Sequence, residues 1–246
     1  MKSILTYGDK RILSENYQTM KDFVDFLDAN TDPNSLLQSL GSGYKFLGDW
    51  VTPHGNEGSD SPEALLFNNC YFAYISDLLA KIAGTLGYTD DEATYAAKAD
   101  AIRNATHNAF FNSTDKTYID ALQTHCVMPL VAGVVPQEYI SDVQDNLENN
   151  IVVTQGGHLD TGLQGTYFMT KYLTEIGRSD LLQLMASQTT YPGYGWFLST
   201  GHTTWPERWD GTGYGSGSKA HGCFNGIGAW FQEGIGGFKS IRSIPE

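Results

Sequence analysis

The stretch Thr203-Thr204-Trp205-Pro206-Glu207-Arg208-Trp209-Asp210-Gly211 sets an indole on either side of one carboxylate. A sugar ring offers an apolar face of C–H bonds and an edge of hydroxyls, so its pocket wants aromatic walls together with planar hydrogen-bonding groups. Tryptophan beside Glu, Arg and Asp meets both demands. Cleaving a glycosidic bond further takes two carboxyl groups, one to protonate the leaving oxygen and one to activate water or attack carbon. The environment of each carboxyl decides which role it takes.

The carboxylates in or near glycine- and aromatic-rich stretches are Asp49, Asp60, Glu63, Asp160, Glu207 and Asp210. Pro206 and the flanking indoles would fix the Glu207 backbone and partly desolvate its side chain, raising its pKa toward a useful range. The competing reading is a loop glutamate paired with Arg208 or a distant lysine. Asp49 precedes Trp50 in Leu-Gly-Asp-Trp, where ligand contact and capping of the following turn are equally compatible with the pattern. Glu63 follows Pro62 at a helix start and complements the helix dipole. His221 ends the second loop, where an imidazole either reaches a sugar hydroxyl or serves structure.

Other chemistries lack their motifs. HExxH, GxSxG and EF-hand spacings are absent, and the glycines of 211–222 follow no strand that would make them a phosphate loop. Cys70, Cys126 and Cys223 are far apart without CxxC spacing and read as buried thiols. Neither a metal nor an organic cofactor is called for. The formal charge of −13 and the lack of a basic stripe argue against nucleic acid. There is no secretory-signal pattern at the start and no run of about 18 apolar residues to span a membrane. Compartment and oligomeric state leave no mark in the sequence.

The elements that must position these residues are helical. Tyr17, Met20, Val24 and Leu27 recur at three and four residues on one face. Ser61 predicts an N-cap, Pro62 a first turn and Gly87 a stop, with Leu66, Tyr71, Ile75, Leu79 and Ile82 inward. Thr89 and Glu92 predict a capping box for a helix running toward Phe110. Further helices are predicted over 121–133, 136–147, 161–176, 179–187 and 224–234. Short Gly, Pro, Asn and Asp connections make them antiparallel hairpins of an all-α chain. The exceptions are 41–60 and 191–222, two long stretches predicted to be non-helical. They hold Trp50, Trp196, Trp205 and Trp209, four of the five tryptophans. Loops of that length in a compact domain are functional or disordered, and disorder is poor in tryptophan.

Taken together, the segments "YGDKRILSENYQTMKDFVDFL", "LGDW", "YFAYISDLLAKIAGTLG", "GGHLDTGLQGTYFMTKYLTEIGRSDLL", "GHTTWPERWDG" and "SKAHGCFNGIGAWFQEGIGG" resemble the catalytic domain of the α-L-rhamnosidases of glycoside hydrolase family 78. The resemblance covers nearly the whole chain. It implies a six-hairpin (α/α)6 toroid, here lacking its first helices, as a single partial domain over residues 1–246. It also implies an inverting release of terminal α-L-rhamnosyl residues from a carbohydrate substrate. Glu207 falls on the family's general base, Trp50 on a tryptophan lining the rhamnose pocket, and His221 on a histidine reaching the sugar. Trp205, Trp209 and Asp210 are expected in the pocket wall, and Asp49 beside the substrate.

Three departures qualify the expectation. Trp205-Pro206 stands where the family commonly reads Ile-Trp, and Ala220 stands where it reads Asn before the histidine. The family's general acid lies in an Arg- and Glu-containing stretch upstream of the part that matches, and this chain has no counterpart. Losing acid assistance forfeits about 10²- to 10⁴-fold in rate, so the chain alone is expected to be weakly active or inactive. Two further readings stand beside the first: a toroidal hydrolase for a different deoxy-sugar or uronic acid, and a carbohydrate-binding fragment without catalysis.

Overall fold

The computed structural model describes residues 8–39, 45–212 and 218–238. Parts of both long glycine-rich stretches, 40–44 and 213–217, lie outside the described residues, as do 1–7 and 239–246 of the domain expected over 1–246.

Helix α1 (Arg11–Asp28) buries Leu13, Tyr17 and Val24, with Met20 and Leu27 partly covered, as its apolar spacing requires. Helix α2 (Pro62–Leu86) opens where the sequence says it must: Ser61 Oγ accepts from the Ala64 amide at 3.2 Å and Pro62 sits in the first turn. Gly87, at φ +85°, lets the Tyr88 amide return to the Ala83 carbonyl at 2.9 Å and end the helix. Helix α3 (Thr89–Phe110) begins at once. The expected capping box is not formed, because the tight turn makes Thr89 already helical: Tyr88 takes the cap position without a side-chain bond. The expected inward row of α2 is also modified. Leu66, Leu79 and Ile82 are buried, Ile75 is only partly so, and Tyr71 remains 40% exposed beside a cavity.

A two-residue antiparallel pair, β1 (Phe111–Asn112) with β2 (Thr117–Tyr118), leads into α4 (Gln123–Ala132). Helices α5 (Ile140–Asn149), α6 (Leu163–Glu175) and α7 (Ser179–Ala186) follow. The stretch after 191 is not wholly irregular, since α8 (Tyr194–Ser199) lies within it. The helix expected over 224–234 is broken by its glycines into a 3-10 turn (Gly222–Gly226), the four-residue α9 (Ile227–Trp230) and a π turn (Phe231–Ile235).

The architecture is all-α. Helices α2, α4 and α6 touch in a row, with α3 packed on α2, α5 on α4 and α7 on α6, and the 222–235 segment continues the row beyond α6. This is the layering of helical hairpins about an inner row. Chain direction alternates in such hairpins, so the N-termini of α2, α4 and α6 fall at one end. The loops that precede them, with their aspartates and tryptophans, are thereby gathered there. Cys70 and Cys126 are buried free thiols, and Cys223 is partly covered.

The cap at Ser61 is a local test of this reading. Ser61→Ala is expected to lower stability by about 1 kcal/mol in urea denaturation, and an unchanged midpoint would contradict the cap's role.

Candidate active site

The Asp49 carboxylate lies where two helix N-termini converge. Its Oδ2 accepts from the Thr124 hydroxyl in the first turn of α4 and from the Gly162 amide at 2.7 Å; its Oδ1 accepts from the Gly165 amide at 2.9 Å. Unpaired amides and the positive ends of helix dipoles favour an anion here. Burial pushes the Asp49 carboxyl up from its ordinary value, and the donors from Thr124, Gly165 and Gly162 oppose that. A Cβ at Gly165 would overlap Asp49 and Thr124, and one at Gly162 would overlap the Trp50 carbonyl. Glycine is therefore required at both positions. Asp49 was expected beside the substrate, and the structure corrects this: it is 0% exposed, with both oxygens occupied from within.

Residues Gln123, Thr124 and His125 form a buried polar triplet in an otherwise apolar helix. The Gln123 amide donates to Asp160 Oδ1 at 3.1 Å, and its side chain bonds the Asp160 amide and the His158 carbonyl. His125 Nδ1 faces Asp120 at 2.6 Å, and Nε2 faces Glu57 at 3.3 Å. Burial alone would lower the His125 pKa, but the Asp120 and Glu57 carboxylates outweigh it and raise it to about 9. Burial pushes Asp160 up to about 7, against hydrogen bonding from Gln123 and the nearby His125 charge. Glu57, Glu63, Asp120, His125 and Asp160 line a small acidic cavity of about 130 Å³.

Trp50 follows Asp49 and is half-buried. Gln164 Oε1 accepts from its amide at 3.3 Å, and its carbonyl accepts from the Leu163 amide at 2.9 Å, so the start of α6 holds its backbone. In the second loop the Glu207 amide donates to the Ser218 carbonyl at 3.0 Å, and the His221 amide to the Trp205 carbonyl at 2.8 Å. These bonds bring Trp205, Glu207 and His221 onto paired segments. His221 and Gln164 line a cavity of about 650 Å³ walled by Phe67, Tyr71, Tyr167 and Phe168. His221 Nδ1 is buried there without a hydrogen-bond partner among the described residues.

Of the expected pocket residues, His221 lines this cavity, whereas Trp50, Glu207, Trp205, Trp209 and Asp210 are not among its lining residues. Trp209 is 1% exposed, stacked on Phe197 and packed 4.1 Å from Phe224, with its Nε1 donating to the Thr161 carbonyl at 2.7 Å. That indole has no face for a sugar; it anchors the loop carrying Glu207. Asp210 is exposed, accepts from Thr212, and lines a separate cleft of about 290 Å³ with Tyr191, Arg208 and residues 51–55. It does not share the cavity lined by His221. Trp205 is half-buried, edge-on to Tyr194 at 5.3 Å.

Residues 2–235 match the bacterial alpha-L-rhamnosidase 6 hairpin glycosidase domain. The chain belongs to that family. An alpha-L-rhamnosidase of Formosa agariphila is 30% identical over 247 residues, covering 96% of this chain and 25% of that protein. One from Streptomyces avermitilis is 29% identical, covering 96% of this chain and 22% of that protein. The solved alpha-L-rhamnosidase of Dictyoglumus thermophilum superposes with a TM-score of 0.81 at 33% identity, over 92% of this chain and 25% of that one. The Streptomyces avermitilis enzyme complexed with L-rhamnose gives 0.80 at 28%, over 94% and 22%. The chain thus spans about a quarter of the length of the relatives it matches, and its helical hairpins are those of the family's six-hairpin fold.

The triplet 123–125, Glu57 and Asp120 had escaped the sequence reading. The signal was there, in three polar residues opening a helix that is otherwise apolar from Cys126 to Ala132.

Two measurements test this assembly. Gly165→Ala forces a methyl group against Asp49 and Thr124 and is expected to cost about 2–4 kcal/mol by denaturant unfolding, where a neutral result would disprove the close contact. The second concerns pH. The His125 value is raised from 6.5 to about 9, so its stabilisation is complete below pH 6.5 and is lost as pH rises through 9. Asp160, raised from 3.8 to about 7, acts in the same direction at lower pH: its contribution is complete below 3.8 and lost through 7. The thermal midpoint is therefore expected to fall between pH 6.5 and 9, and a flat profile over that window would contradict the assignment.

Proposed function

We propose that the chain carries the base side of the active site of an inverting α-L-rhamnosidase, within a single unit formed by residues 1–246. The observation that supports this most is the pairing of the Glu207 and His221 segments beside the aromatic cavity, where the buried His221 Nδ1 is left to meet a ligand hydroxyl. The cavity's aromatic walls suit the apolar face of a deoxy-sugar.

Glu207 is the general base. Its carboxylate takes a proton from water as the water oxygen attacks the anomeric carbon, and the aglycone leaves from the opposite face. The leaving oxygen takes its proton from a second carboxyl about 6.5–9.5 Å from the first, which leaves room for the water. We place that acid outside the described residues. Trp50 supplies a wall, and His221 orients a hydroxyl. Asp49 contributes at one remove, by fixing the turn that carries Trp50.

A neighbouring sugar is the second reading, favoured by Trp205: its indole packs on Tyr194 and Phe197 rather than standing free as a wall.

The deciding experiment is release of nitrophenol from nitrophenyl α-L-rhamnoside by this chain and by an N-terminally extended form, each with Glu207→Gln beside it. In the extended form the substitution should lower turnover about 10²- to 10⁴-fold, and the first-formed rhamnose should carry the inverted anomeric configuration by NMR. Full activity of Glu207→Gln would remove Glu207 from the role of base. L-rhamnose binding without turnover in either form would favour a binding fragment, and turnover of another glycoside alone would favour the neighbouring sugar.

A further inference from the structure

His125 is enclosed, with its side chain 3% exposed, yet both ring nitrogens face carboxylates: Nδ1 meets Asp120 and Nε2 meets Glu57. A carboxylate on each side is satisfied only when both nitrogens carry hydrogen, which makes the ring a cation. The second oxygen of Glu57, Oε2, accepts from the Asp49 backbone amide at 3.1 Å. The chain passes so close to this carboxylate that Gly48, at φ +58°, could not carry a Cβ without meeting it. A continuous polar path thus runs from His125 through Glu57 to the Gly48–Asp49 peptide, one residue ahead of the peptide that enters Trp50. On its far side Trp50 is held by Gln164 and Leu163.

We propose that His125 is a positioning residue for Trp50: its ring, clamped between Asp120 and Glu57, orders Glu57 to hold the Asp49–Trp50 turn against the N-terminus of α6. The proposal deepens the rhamnosidase reading and rests on it for Trp50 as a sugar wall. The groups around the ring come from three elements. Glu57 and His54 lie on the loop before α2 and Glu63 in its first turn; Asp120 lies on the loop before α4; Asp160 lies on the loop before α6. Asp49 stands behind Thr124, and Cys126 is adjacent in α4. The carboxylates favour the protonated ring, in line with its raised pKa.

When His125 loses its proton, the Nε2 lone pair faces the Glu57 carboxylate and the contact turns repulsive. Glu57 then releases the Asp49 amide, and the Trp50 turn loosens. Glu57→Gln breaks this dependence: removing one of the two carboxylates favours the neutral ring, to which the NH2 donates while the amide oxygen still accepts from Asp49.

The test follows the Trp50 indole N–H resonance and the His125 ring resonances of the 246-residue chain by NMR across an alkaline titration, with L-rhamnose affinity measured in parallel. In the wild type the indole should move with the midpoint of His125, and the dissociation constant for L-rhamnose should rise roughly tenfold across it. In Glu57→Gln both should be flat. An indole that stays still while His125 titrates overturns the proposal, as does the same alkaline response in wild type and Glu57→Gln. The wild-type titration decides even where a variant fails to fold. If the indole follows His125 but L-rhamnose binds at no pH, the coupling stands and the sugar reading falls.

Discussion

The site depends on one buried carboxyl group. Asp49 places a carboxylate between the first turns of α4 and α6, where helix amides have no partners of their own. Removing an anion from water is costly, and an isolated carboxylate would neutralise rather than stay buried. Three converging donors and two helix N-termini make the position tenable. The same contacts require the helices to approach closely, which is why glycine stands at 162 and 165.

From that brace the machinery extends along covalent and hydrogen-bonded links. Trp50 is the next residue in the chain, and its peptide is seized by Leu163 and Gln164 at the start of α6. Thr161, one residue before Gly162, accepts the indole N–H of Trp209, and Trp209 fixes the loop that carries Glu207. Tyr194, Phe197, Trp209 and Phe224 pack as an aromatic plug behind that loop. A long loop has a large conformational entropy to surrender. Burying a full indole with its N–H satisfied is an effective way to offset it.

The division of labour among the tryptophans follows from this packing. Two indoles two residues either side of a carboxylate look equivalent in sequence, but only one can face the core when the loop is pinned at both ends. Trp209 takes the inward place, and Trp205 stays half-covered beside the segment of His221. Asp210 is turned outward by the same geometry and caps its own turn on Thr212.

What the sequence by itself determined was local: the caps at Ser61 and Gly87, the apolar face of α1, the short connections that turn helices into hairpins, and the gathering of tryptophans in two loops. Each of these is set by neighbours within a turn or two, so periodicity and residue type suffice. The family resemblance was legible for the same reason, since it rests on runs of residues such as 203–211. What tertiary structure decided was the direction each side chain faces. Asp49 and Trp209 carry the residue types of a sugar pocket, yet contacts from 48 to 116 residues away turn them into anchors. The buried 123–125 triplet has meaning only once the loops before α2 and α6 are folded over it, because a polar residue inside a helix is satisfied by partners the local sequence does not name.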